Sequence, residues 1–214
     1  GKFRRQRQMC IRDRLKDIVI ASHNSGKVSE IKSLLKPLGY NIISAKKLKI
    51  NEPIENGLTF GENSLIKSKN AALKSKLPAI ADDSGLCISS LNNEPGIYSA
   101  RWAGKEKDFN IAIEKIEKKM EKNNYFNKSS RKAFFCCALS IYFPNNVSRV
   151  FEGKIYGHVQ FPPKGKNGFG YDPIFVPKGY KKTFGEMNFN YKERISHRAI
   201  AFKKLSNFLY KIKN

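Results

Sequence analysis

Apolar runs of strand length alternate with helical periods along most of this chain, and the order of the two gives the first picture of its fold. Asp17–Ser22, DIVIAS, reads as a buried strand, His23–Lys27 as a turn and Val28–Leu35 as a helix ended by Pro37-Leu38-Gly39. Tyr40–Ser44 is a second strand, and strand, turn, helix, strand opens an α/β layer. Asn51–Phe60 is a polar loop holding Glu52 and Glu55. The next helix runs from Glu62 to Lys76, with Leu65, Ile66, Ala72 and Leu73 as its apolar face. Ala79–Ala81 is a short apolar run that enters the acidic pair Asp82-Asp83, and Gly85–Ser89 continues as strand. Asp108–Asn123 is an amphipathic helix with Ile111, Ile116 and Met120 inward and a solvated Lys/Glu face. Arg131–Phe143 and Val147–Gln160 alternate around Pro144-Asn145-Asn146, the pattern of a β-hairpin. Phe161–Gly170 is a loop, Tyr171–Val176 a short strand, and Ser196–Lys211 the last helix, with Ser196 as its N-cap. The chain has neither an internal repeat nor a linker that would separate independent domains.

Composition changes this picture only in part. The 214 residues suffice for one domain with a real core, and the formal net charge of +23 suggests an anionic partner. Residues 1–16 contribute +6 of that, leaving +17 spread over the helices and loops of the remainder. Charge alone therefore does not establish nucleic-acid binding, and a nucleic-acid partner is not expected. Gly1–Lys16 lacks an apolar h-region and is not a secretory signal. It is expected to be a basic arm, disordered or foreign: Met9–Arg14, MCIRDR, resembles a translated sequencing adapter, which puts the natural start near Leu15. Residues 17–214 are expected to form a single bilobal domain. The four cysteines, Cys10, Cys87, Cys136 and Cys137, form no ligand spacing for zinc; the neighbours Cys136 and Cys137 read as small core residues, and reduced thiols fit a cytoplasmic protein. The longest apolar run, Ala133–Phe143, is too short to span a bilayer, so no membrane partner is expected.

Three stretches carry candidate chemistry. Adjacent carboxylates at Asp82 and Asp83 repel each other and lose solvation on burial, so at a strand end they call for a cation or donors nearby. A solvated Asp-Asp-Ser-Gly turn is the plainer reading of the same residues. Ser22-His23-Asn24-Ser25-Gly26-Lys27 lies between a strand and a helix N-terminus, where free N–H groups and the helix dipole suit phosphate. It is not a Walker A loop, because Ala21 and Val28 stand where Gly and Ser/Thr are needed; an ordinary βα turn is the bland alternative. Phe169-Gly170-Tyr171-Asp172 places two rings at i and i+2, which in extended geometry share one face, with Asp172 able to accept a ring N–H. Two core aromatics would give the same pattern. Ser196-His197-Arg198 opens the final helix with donors suited to carbonyl or phosphate oxygens, and Lys192 lies just upstream. A phosphate turn, a carboxylate able to hold Mg²⁺ and a slot for a flat ring together point to a nucleoside triphosphate and metal-assisted phosphoanhydride hydrolysis.

The chain also resembles the Ham1-like inosine/xanthosine triphosphate pyrophosphatases, which act on non-canonical purine nucleoside triphosphates. The resemblance rests on SHNSGK at 22–27, GLTFGEN at 57–63, ADDSGL at 81–86, PGIYSARWAG at 95–104, GFGYDPIF at 168–175 and SHR at 196–198, in the family's order. It implies that Asp83 is the catalytic base and, with Glu55, a Mg²⁺ carboxylate. It implies that Ser22, His23, Asn24, Ser25, Gly26, Lys27, Lys67 and Ser84 contact substrate, and that Phe169, Gly170, Tyr171, Asp172, Lys192, His197 and Arg198 bind the base. The implied fold is α/β, an elongated mixed β-sheet flanked by helices, with two lobes around a central active-site cleft, assembled as a homodimer. The implied reaction converts ITP, dITP or XTP to the monophosphate and pyrophosphate, with Asp82 as a supporting acid. Two alternatives stay open at this point: a nucleic-acid-binding protein, and an NTP pyrophosphatase with a different base preference.

Overall fold

The computed structural model describes residues 16–213 apart from 24, 125, 126 and 128. The expected arm at 1–16 therefore lies, but for Lys16, outside the described residues. Six strands form one sheet in the order β2-β1-β3-β4-β5-β6. They are β1 (Asp17–Ile20), β2 (Asn41–Ser44), β3 (Ala79–Ile88), β4 (Lys132–Tyr142), β5 (Ser148–Val159) and β6 (Phe175–Pro177). β1 pairs parallel with β2 and β3, and β5 pairs antiparallel with β6, so the sheet is mixed. The helices are α1 (Ser25–Leu35), α2 (Phe60–Ser75), α3 (Ser99–Trp102), α4 (Phe109–Lys122), α5 (Phe189–Ile195) and α6 (His197–Lys213). The α/β class with a mixed sheet expected from the sequence is what the chain forms. The expected hairpin is present as β4 and β5, its turn closed by Phe143 N–H donating to Val147 O at 2.8 Å. Ser196 caps α6, its Oγ accepting from Ala199 N–H at 3.1 Å.

The chain folds into two compact units. One holds the described residues through Asp83, Ala138–Glu152 and the residues from Ala201 on; the other holds Ser84–Cys137 and Gly153–Ile200. In the first unit one core cluster, which includes Ala71 and Ala72 of α2, is built largely of small side chains: Val19, Ala21, Ala45, Ile50, Ala71, Ala72, Ala79, Ala81 and Tyr142. The larger Ile18, Ile20, Ile31, Leu35, Ile80 and Leu139 are buried in the same unit. The second unit's core is aromatic and aliphatic, with Phe135, Phe175, Phe184, Tyr171, Leu86, Ile88, Ile116 and Met120 among its members.

Four elements depart from the sequence pattern. On α2 the buried face is Asn63, Ser64, Lys67, Ser68, Ala71 and Ala72, whereas Leu73 is exposed. Of the expected face Ala72 is buried and Leu65 packs partly against the core, but the helix approaches the sheet mainly through small and polar residues that a count of leucines does not find. On α4 the buried residues are Ala112, Ile113, Ile116 and Met120, and Ile111 is 56% exposed. The expected strand at 171–176 is a 3₁₀ turn at Asp172–Ile174 followed by β6, while α5, which the sequence pattern did not reveal, is only seven residues long and carries Lys192.

Hydroxyls bind α2 to the sheet. Ser64 Oγ lies 3.0 Å from Ala81 O and 2.8 Å from Ser140 Oγ, and Ser140 Oγ lies 2.7 Å from Ser68 Oγ. The Ser68 hydroxyl reaches Leu65 O at 3.2 Å. All three serines are fully buried, and a buried hydroxyl without a partner is costly. Ser140→Ala is expected to lower stability by only about 0.5–1.5 kcal/mol, because Ser64 and Ser68 keep carbonyl acceptors. Ser140→Val forces extra volume into the site and is expected to lower it by roughly 1–3 kcal/mol. Urea unfolding at unchanged m checks both values.

Candidate active site

In the first unit the chemistry gathers on a lysine. α2 turns Asn63, Lys67 and Ala71 to one face, four residues apart, and that face is buried. β3 is buried along nearly its whole length, so Asp82 and Asp83 are both out of water, at 2% and 8% exposure. The reading of Asp82-Asp83 as a solvated turn is thereby excluded: the pair continues a strand. Lys67 Nζ lies 2.8 Å from Glu55 Oε1 and 3.9 Å from Asp83 Oδ1. Burial alone would push the Lys67 ammonium down. The fields of Asp82, Asp83 and Glu55 and the hydrogen bond to Glu55 outweigh burial and hold its pKa above the ordinary lysine range. Lys67 is thus a fixed positive charge beside two candidate metal carboxylates.

Glu55 comes from residues 51–59, a stretch without helix or strand that is tied down by side chains. Gly57 N–H donates to Asn63 Oδ1 at 2.8 Å. A Cβ on Gly57 would lie 2.7 Å from Glu62 Cβ and 2.8 Å from Asn63 Oδ1, so only glycine fits there. Thr59 caps α2, its Oγ1 accepting from Glu62 N–H, while Glu62 Oε2 accepts from Leu58 N–H at 2.6 Å. Upstream, His23 N–H donates to Glu52 Oε1 at 2.8 Å, and His23 Nε2 lies 2.8 Å from Ile50 O. His23, expected to contact substrate, therefore also holds this loop. Ser22 is buried at the end of β1. Asn24 lies outside the described residues, and of Ser25, Gly26 and Lys27 the structure describes only the backbone, which opens α1 three residues earlier than the pattern suggested.

In the second unit, Phe169 is half exposed at 54% and Tyr171 is 2% exposed. The expectation that the two rings share one open face does not hold. Gly170 has φ +69°, which breaks the extended geometry between them, and Tyr171 turns into the core. There its hydroxyl donates to Ser99 O at 2.8 Å and its ring meets Phe109 edge-on at 5.2 Å. Burial pushes the Tyr171 phenol well above the usual range.

Asp172 also differs from expectation. It is buried, and its Oδ2 accepts from Lys192 Nζ at 2.6 Å and from Phe169 N–H at 2.7 Å, so this oxygen is committed to the protein rather than to a base N–H. Burial raises its pKa despite the opposing pull of Lys192, the Phe169 amide and Arg198. Lys192 Nζ and the Arg198 guanidinium carbon lie 4.9 Å and 5.4 Å from the Phe169 ring centroid. His197 stacks on Phe135 at 4.8 Å with 11° between planes. The result is an exposed aromatic face with two cations beside it. Ser84, half-buried, follows Asp83 in β3.

The sequence pattern gives neither the roles of Asn63 and Glu52 nor the helix α5. The Thr59-x-x-Glu62 spacing signals the helix start that places Asn63, but nothing in the sequence pairs Glu52 with an amide 29 positions upstream.

Whether these residues suit Mg²⁺ follows from the donor set. Among the described residues no three acidic, His or Cys side chains converge. Glu55 and Asp83 instead flank one cation, Lys67. Mg²⁺ is usually held by one or two carboxylates with substrate phosphates completing its shell, so the pair fits a metal that arrives with a triphosphate.

Comparison with known proteins agrees with this chemistry. The family model described as the Ham1 family matches residues 18–208. The dITP/XTP pyrophosphatase of Caulobacter vibrioides is 47% identical over 193 residues, covering 90% of this chain and 97% of that protein. The dITP/XTP pyrophosphatase of Zymomonas mobilis is 45% identical over 188 residues, covering 88% and 89%. Among solved structures, a HAM1 protein from Coxiella burnetii superposes with a TM-score of 0.85 at 38% identity, covering 91% of this chain and 98% of that one. The Ham1 protein of Staphylococcus aureus gives 0.82 at 40% identity, covering 92% and 99%. By sequence and by fold, this chain belongs to the Ham1 family.

Proposed function

We propose that the chain hydrolyses non-canonical purine nucleoside triphosphates, dITP, XTP and ITP, to the monophosphate and pyrophosphate, and so clears them from the nucleotide pool. The observation that carries this reading is the Lys67 ammonium held between Glu55 and Asp83, supported by relatives that are dITP/XTP pyrophosphatases. Glu55 and Asp83 would hold Mg²⁺, which would supply polarisation of the phosphate oxygens. Asp83 orients the attacking water and takes its proton. Lys67, already fixed in a buried position, meets the negative charge that develops on the leaving pyrophosphate without having to reorganise. Ser22–Lys27 at the N-terminus of α1 and Ser84 add donors for the phosphates.

In the second unit Phe169 offers the face on which the base stacks, and Lys192, His197 and Arg198 supply donors. Hypoxanthine and xanthine carry a carbonyl at position 6, which those donors satisfy; adenine carries an amino group there and leaves them unpaired. Asp172 holds Lys192 in this arrangement, and Tyr171 and Gly170 shape the turn that presents Phe169. The enzyme is further proposed to act in the cytoplasm as a homodimer. The buried cysteines Cys87, Cys136 and Cys137 suit a reducing compartment, and the dimer rests on family resemblance. No helix among the described residues is long and apolar enough to cross a membrane.

Asp83→Asn is expected to lower pyrophosphate release from dITP by at least ~10²–10³-fold, the usual effect of removing a group that acts in the transition state, with far-UV circular dichroism unchanged. A panel of dITP, XTP, ITP, ATP and modified pyrimidine triphosphates, read by pyrophosphate release, should show the first three far ahead; equal turnover of ATP and ITP would refute the base assignment. Lys192→Met strips Asp172 of its buried counter-charge, and breaking such a pair costs about 3–5 kcal/mol. Burial raises the Asp172 pKa in the fold and Lys192 opposes the rise; without Lys192 the folded value rises further, so the variant goes on losing stability with rising pH after the parent has stopped. The variant's stability deficit, followed by melting temperature between pH 5 and pH 8, should therefore widen with rising pH.

A further inference from the structure

We infer that Glu52, outside the reacting groups, is a positioning residue: it fixes the loop that delivers Glu55 to its metal-binding place and ties that loop to the phosphate-binding turn. The inference rests on the assignment of Glu55 as a metal carboxylate. The loop has no regular secondary structure at residues 51–59, and its large apolar side chains give it no anchor, for Ile54 is 86% and Leu58 84% exposed. Hydrogen bonds from side chains must hold it instead, and they fall on both sides of Glu55. On the downstream side Asn63 accepts the Gly57 N–H, and Glu62 the Leu58 N–H. On the upstream side Glu52 accepts the His23 N–H, the His23 ring reaches Ile50 O, and Asn70 Nδ2 donates to Asn51 O at 2.9 Å.

Of the upstream contacts, the Glu52 carboxylate lies nearest Glu55 in sequence and is charged, so its hydrogen bond is stronger than the neutral ones. It also reaches the amide of His23, two residues ahead of the start of α1 at Ser25. Movement of Glu52 would therefore loosen Glu55 against Lys67 and, at the same time, the backbone at His23 ahead of α1. Groups that orient a metal carboxylate typically change metal affinity or activity 10–100-fold when removed.

The test compares Glu52→Ala, Glu52→Gln and Glu55→Gln in the full chain, with two readouts. The first is the Mg²⁺ concentration for half-maximal dITP hydrolysis. The second is amide hydrogen exchange of the metal-free protein at His23 and residues 51–57. Glu52→Ala is expected to raise the half-maximal Mg²⁺ concentration by about 10-fold and to speed exchange in that segment. Glu52→Gln keeps an oxygen that accepts the His23 N–H, through a weaker neutral hydrogen bond, and should recover part of both effects. A raised Mg²⁺ requirement in Glu52→Ala with exchange at His23 and residues 51–57 unchanged would mean that the charge acts without holding the loop, and would overturn a positioning role. If Glu55→Gln raises the Mg²⁺ requirement and Glu52→Ala does not, the inference fails while the metal assignment stands. If Glu55→Gln leaves the Mg²⁺ requirement unchanged, the metal assignment fails and the inference falls with it.

Discussion

A lysine ammonium taken out of water governs the first unit. Burying Lys67 would be prohibitive without opposite charge, and burying Asp82 and Asp83 side by side would be prohibitive without a cation. Each makes the other's burial tolerable, and Glu55 completes the balance from the loop. The rest of the unit is shaped to keep this group together. Lys67 occupies the sheet side of α2, so its neighbours on that face must be small or polar, and they are: Ser64, Ser68, Ala71 and Ala72. The serines in turn find partners in Ala81 O, next to the acids, and in Ser140 of β4. A helix packed through leucines would stand farther from β3 and carry Lys67 away from Asp83.

The second unit repeats the device with a different balance. Asp172 and Lys192 form a buried pair, but there one acid faces one lysine, and burial still raises the Asp172 pKa. The pair also does geometric work, since the same Asp172 oxygen accepts the Phe169 amide. One carboxylate thus fixes both the turn that exposes the Phe169 ring and the ammonium beside it. Tyr171, buried and bonded to Ser99, anchors the turn from below. The aromatic pair that resembled a double stacking platform has divided its labour between an exposed ring and a core ring.

How much of this was legible in the sequence follows from the kind of signal each part leaves. Strands β1 to β5, the hairpin turn, the Ser196 cap and the long helices α2, α4 and α6 announce themselves through local apolar pattern and turn chemistry, and they stand near the expected places. The buried face of α2 did not, because small and polar residues carry no hydrophobic signal even when fully enclosed. Helix α5 was invisible because seven residues span barely two turns. The positions of Glu55, Lys67 and Asp83 followed from the family resemblance, whereas Glu52 and Asn63 act through backbone amides, and any acceptor side chain in a loop could do so. Tyr171 went astray because a period-two argument fails across a glycine with positive φ.

Net charge was the least informative number about function, and the structure explains why. A charge of +23 describes a surface crowded with lysines. The chemistry lies in the few charges that surface does not contain. Among the described residues the buried Asp, Lys and Arg side chains are Lys67, Asp82, Asp83, Asp172, Lys192 and Arg198. Each belongs to one of the two constellations. Charged groups are rarely enclosed unless paired, and pairing fixes them in place. A fixed charge in a water-poor environment acts more strongly on a neighbouring phosphate or carbonyl than a mobile one at the surface. Burial, not abundance, therefore marks which of the many lysines are suited to catalysis and base recognition.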